Sequence, residues 1–100
     1  MYEFIYMKAE FEPWWMFEDW EDTIIIRETS MNFNEVQEQL REFVLKLREK
    51  HEFEAVKKEC FYAFWSSNEQ VFCEACDDDL QTYHGLFILK DGQPVNLIIM

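Results

Sequence analysis

Glycine and proline are nearly missing from this chain, with two of each in 100 residues. That excludes flexible linkers, collagen-like repeats and loop-rich low-complexity sequence. Basic residues are also scarce: nine Lys and Arg stand against twenty-one Asp and Glu, for a net charge of −12. Affinity for nucleic acid comes chiefly from Lys and Arg neutralising phosphates, so an ordinary DNA or RNA binder is disfavoured. Three cysteines, Cys60, Cys73 and Cys76, are too few and odd in number for a secreted disulfide scaffold, and they fit a reducing, cytoplasmic setting. No apolar run approaches the roughly 18 residues of a spanning helix. Glu3, Lys8 and Glu10 interrupt the opening MYEFIYMKAEFEP, which therefore does not read as a signal peptide.

What remains is rich in core-forming residues. Hydrophobic side chains make up 49% and aromatics 18% of the chain, which sets it apart from disordered acidic tails and implies one packed domain over residues 1–100. The acid is unevenly spread. Residues 1–30 carry eight acids and two bases, residues 31–59 seven and six, and residues 60–100 six and one. Such charge keeps a small domain soluble, and it also offers two acidic flanks to a basic partner.

Residues 2–9 (YEFIYMKA) read as a strand with both faces largely apolar, hence central. Pro13 suits the first position of a short helix through WWMFEDW, and the isoleucines of 23–29 favour a second strand. Asn32 followed by Glu35 is a variant capping box opening a helix over 33–50. Phe33, Val36, Leu40, Phe43, Val44 and Leu47 share one face of that helix, and Glu42–Lys46 is an i,i+4 pair on the other. Residues 51–59 read as a loop or short helix. Alternation in 60–65 and 71–76 around SSNEQ predicts a hairpin with Trp65 opposite Val71 and Cys60 opposite Cys76. Asp91-Gly92 predicts a second hairpin joining 86–90 to 93–98, with Pro94 at a sheet edge. The expected fold is α+β: a mainly antiparallel sheet of five to six strands, packed by one long amphipathic helix and a short Trp-rich helix.

YMKAEFEPWWMFEDWED at 6–22, FW at 64–65 and FCEACDDDLQTYHGL at 72–86 are long, distinctive strings. In them, and in block order over nearly the whole chain, the sequence resembles the family catalogued as domain of unknown function 1033, small acidic proteins of low-GC Gram-positive bacteria. The resemblance implies a bacterial, cytoplasmic, single-domain protein. Members are often labelled DNA-binding, and the resemblance brings no functional residues with it.

Two segments carry candidate chemistry. Cys73, Cys76 and His84, with Asp77 and Asp79 between them, suggest zinc, with Cys60 as a further thiolate. In a strand, however, positions i and i+3 point to opposite faces, so buried cysteines are the simpler reading. A redox pair of Cys60 and Cys76 is an alternative. Asp77, Asp78 and Asp79 suit a hard cation or, more simply, cap a turn at 80–83 that Gly85 ends. His84 with Glu74 or a neighbouring aspartate makes a general base, and with Cys76 a nucleophile pair, though no orienting third group is evident.

The other segment holds Trp14, Trp15 and Trp20 among Glu18, Asp19 and Asp22. These rings either plug the sheet or form, with the carboxylates, a surface for an Arg- or Lys-bearing protein. The function expected is a non-enzymatic interaction or regulatory module, monomeric or a small homo-oligomer, with no cofactor. A metal- or cysteine-dependent enzyme centred on 73–84 is the alternative.

Overall fold

A computed structural model of the chain describes residues 1–16, 18–73 and 78–96, with backbone alone for 71–73 and 78–79. The strands are β1 (Tyr2–Ala9), β2 (Ile24–Ser30), β3 (Phe53–Lys57), β4 (Phe61–Trp65), β5 (Gln70–Cys73), β6 (Asp78–Gln81), β7 (Tyr83–Lys90) and β8 (Gln93–Pro94), and the helix α1 is Phe33–Lys50. The main sheet runs β2-β1-β7-β4-β3 with β8 added to β7, and β5 and β6 form a separate ribbon. Every pairing is antiparallel. The fold is thus the α+β arrangement expected, with β1 and β7 at its centre.

Alternation along these central strands makes two cores. On one face Phe4, Tyr62, Phe64, Leu86 and Ile88 meet Val36, Leu40, Val44 and Leu47 of α1. On the other, Ile5, Met7, Phe61, Phe87 and Leu89 are covered by Trp14, Met16, Trp20 and Ile24. Ile24 and Ile26 serve opposite cores because Met7 pairs with Ile24 while Tyr6 pairs with Ile26. Ile25 is the extra residue of that β-bulge and is left 53% exposed.

The helix starts at its expected cap. The Asn32 side chain accepts from the Asn34 N–H at 2.9 Å. Glu35 does not reach back directly. Ser30 stands between, its Oγ accepting from the Asn32 N–H at 3.0 Å and donating to Glu35 at 2.8 Å. Lys46 lies over the Phe43 ring, 5.1 Å from its centroid. At the far end Asp91 and Gly92 take φ of 50° and 84°, as a two-residue hairpin loop requires, and Pro94 pairs with Leu89 in the two-residue β8.

Three local expectations are corrected. The Trp-rich segment makes two short 3-10 turns, Pro13–Trp15 and Trp20–Thr23, instead of one helix. Residues 53–57 form a strand, which takes Trp65 as the partner of Phe53, so β4 does not pair with β5 and Trp65 is not opposite Val71; the expected Cys60–Cys76 pairing involves a residue outside the described ones. Asp78–Gln81 is a strand paired to β5, not a capped turn, and Gly85 lies within β7.

Candidate functional site

The two histidines of the chain meet at one corner of the helix-covered face. β7 alternates so that His84, like Leu86 and Ile88, turns to that face, and its backbone stands beside Lys8 of β1 and Phe64 of β4. α1 ends just short of this corner. His51 is its C-cap, with its N–H donating to the Leu47 carbonyl at 2.9 Å. The imidazole centroids are 4.4 Å apart.

Residues 66–69, between β4 and β5, close the corner as a tight turn in which the Glu69 N–H donates to the Ser66 carbonyl at 3.0 Å. Two side chains pin it. Gln81 Nε2 lies 2.8 Å from the Ser66 carbonyl and 3.0 Å from that of Glu69. On the outer side Glu52 accepts from both the N–H and the hydroxyl of Ser67, at 2.9 and 2.7 Å. These two bonds hold the Glu52 carboxyl below its ordinary pKa.

The pinned turn presents Glu69 to the histidines. His84 Nε2 is 2.7 Å from Glu69 Oε1, and His84 Nδ1 is 2.7 Å from the Tyr6 hydroxyl. Burial, with the Glu69 charge next in weight, raises the Tyr6 pKa, so the phenol keeps its proton. The carboxylate can only accept, so the hydrogen on His84 Nε2 is directed at Glu69, while the Tyr6 hydroxyl lies against the other ring nitrogen. His51 Nδ1 contacts the Ser66 hydroxyl at 2.9 Å and lies 4.0 Å from Glu69 Oε1. Burial first, then the neighbouring His84, lower the His51 pKa against the opposing pull of Glu69. A neutral imidazole results near pH 7. Among the described residues, every buried side-chain nitrogen and oxygen has a partner.

Of the residues proposed for zinc, only His84 and Cys60 have described side chains. Cys76 and Asp77 lie outside the described residues, as does Glu74, and Cys73 and Asp79 are described in backbone only. Cys60 sits in the β3–β4 turn, where burial and then Glu59 push its thiol pKa up, the opposite of an activated nucleophile. His51, Glu69, Ser66 and Tyr6 escaped the sequence reading. The one available signal was that a chain with only two histidines places one immediately after its long helix.

The tryptophans lie across the sheet from this corner. Trp14 packs on the second core with Lys57 Nζ 5.5 Å above its ring, and Trp20 packs on Phe87 at 5.5 Å between centroids. Trp15 turns outward and is 56% exposed. Glu18, Asp19 and Asp22 are exposed around it in sequence, and Phe17 lies outside the described residues. Arg27 braces the segment by pairing with Glu21 at 2.9 Å and with Glu3 at 3.1 Å.

Together these features define a small α+β domain whose antiparallel sheet carries a helix and a polar histidine corner on one face and a tryptophan cover on the other. The chain belongs to the family described as protein of unknown function DUF1033, whose model matches residues 1–98. No curated protein and no solved structure matches it. Among the described residues, no helix is long and apolar enough to cross a membrane.

Proposed function

We propose that the chain is a non-enzymatic interaction module whose acidic, tryptophan-bearing face binds an Arg- or Lys-rich protein segment. The observation that carries this reading is Trp15. Its neighbours Trp14 and Trp20 pack on the sheet, whereas Trp15 stands 56% exposed, with exposed Glu18, Asp19 and Asp22 close to it in sequence. An exposed aromatic ring in an acid-rich segment suits a guanidinium or ammonium, by cation–π contact and by charge. Glu18, Asp19 and Asp22 supply the charge, and Lys8 is the sole base among residues 1–26.

The test is affinity capture with the wild-type chain and with Trp15→Ala, followed by titration of the basic segment of the captured protein. Aromatic anchors of this kind contribute about 2 kcal/mol or more, so Trp15→Ala should weaken binding at least roughly tenfold. Asp19→Asn with Asp22→Asn should flatten the salt dependence. A partner bound equally well by Trp15→Ala, or one that is not basic, would refute this assignment of the face.

A further inference from the structure

We propose that His51, Glu69 and His84 form a binding site for a divalent transition-metal ion, for which Zn2+ is the first probe. The site lies on the opposite face of the sheet from the tryptophans and does not depend on the interaction reading. One ligand atom from each residue falls within 4.8 Å of the other two. The two imidazoles are nearly enclosed, with side chains 10% and 8% exposed, while Glu69 at 33% opens to solvent. Two imidazoles and one carboxylate is a donor set suited to zinc and its neighbours. Calcium and magnesium prefer oxygen alone. Such a triad leaves further coordination positions to water.

The spacing brackets what coordination needs. Bonds of about 2.1 Å place adjacent ligand atoms roughly 3.0–3.4 Å apart. Here Glu69 Oε1 is 2.7 Å from His84 Nε2 and 4.0 Å from His51 Nδ1. An entering ion replaces the Nε2–H···O bond, and His51 turns Nδ1 from the Ser66 hydroxyl to the metal. As the metal takes His84 Nε2, the hydrogen there leaves and the ring's remaining proton sits on Nδ1. Nδ1–H then donates to the Tyr6 oxygen, the kind of outer hydrogen bond that orients ligating histidines. Gln81 and Glu52 already hold the 66–69 turn in position for this. Lys8, 4.0 Å from the other Glu69 oxygen, is a long, exposed side chain with room to withdraw.

Because free thiols also bind zinc, the experiment uses the full chain with Cys60, Cys73 and Cys76 changed to Ser. Metal-free protein is titrated with Zn2+ calorimetrically, and histidine ring nitrogens are followed by long-range 1H–15N NMR. The expected result is one ion per chain, with His51 and His84 ring nitrogens both shifting on saturation. Glu69→Gln, which keeps shape and hydrogen bonding, should weaken binding at least tenfold, and Tyr6→Phe about tenfold through the lost outer contact. Co2+ should give weak visible bands with no thiolate charge-transfer absorption. Absence of uptake at micromolar metal, or ring nitrogens unmoved at saturation, would overturn the proposal and leave the corner as a self-satisfied polar plug. The NMR readout needs no variant of the three ligands, so a failure of Glu69→Gln to fold does not remove the test.

Discussion

Gly85 of β7 and Pro13 of the first 3-10 turn meet so closely that a Cβ at position 85 would lie 2.6 Å from Pro13 Cβ and 2.9 Å from its Cγ. Gly85 pairs with Ala63 on one side and Met7 on the other, so two small residues make a flat seat in the sheet. The buried proline ring sits there and starts the tryptophan cover. Gly85→Ala should lower stability by about 1–3 kcal/mol through overpacking. Urea unfolding measures the loss. Near-ultraviolet circular dichroism should change as Trp14 is displaced, with the helical far-ultraviolet signal kept. An unchanged midpoint would mean the proline shifts freely on its seat.

Where information is local, it was readable in the sequence. The 3.6-residue repeat and Asn32 marked α1 as Phe33–Lys50, and Asp91-Gly92 marked the last hairpin. The β3–β4 hairpin was hidden because its turn is Lys58-Glu59, two residues that seldom take positive φ. With β3 unseen, β4 had no evident partner but β5. The histidine corner was hidden for a different reason. It assembles through the strand order β1-β7-β4, which brings Tyr6, His84 and the turn after β4 together from distant parts of the chain. No local pattern encodes that order. Gln81 fixes the Glu69 carbonyl from the far strand of the β5–β6 ribbon, so even the turn's own conformation depends on residues outside it.

Alkaline pH should destabilise the fold through tyrosines. Burial, the leading cause in each case, raises the pKa of Tyr6, Tyr62 and Tyr83 above the ordinary 10.0, with Glu69, Glu54 and Glu12 adding to the shift in turn. An unfolded chain loses phenol protons near pH 10, before the folded one does. Above that pH the unfolded state binds fewer protons, so stability is full below about 10 and falls as pH rises. Urea midpoints taken between pH 8 and pH 11, beside phenolate absorbance, check this. Tyr6→Phe should reduce the slope and, at pH 8, cost about 1–2 kcal/mol by leaving His84 Nδ1 without its hydrogen-bond partner. A flat profile to pH 11 would contradict the raised values.

The turn joining β3 to β4 is the place where substitution should stabilise the protein. Lys58 and Glu59 both hold φ of 56°, and the Cys60 N–H closes the turn onto the Lys57 carbonyl at 3.1 Å. Left-handed backbone costs an ordinary residue about 1 kcal/mol or more, whereas Asn-Gly adopts this geometry readily. The replaced side chains give up little: Glu59 accepts one exposed hydrogen bond from Asn96 at 3.1 Å. Lys58→Asn with Glu59→Gly should therefore raise stability by roughly 1 kcal/mol, seen as a higher urea midpoint at unchanged slope. Glu59→Gly alone has a second readout, since Glu59 follows burial among the causes that raise the Cys60 thiol pKa. Removing that charge should speed reaction of Cys60 with a disulfide reagent at pH 8, because more thiolate is present. A lowered midpoint would show that the charged turn contributes more through its side chains than its backbone strain costs.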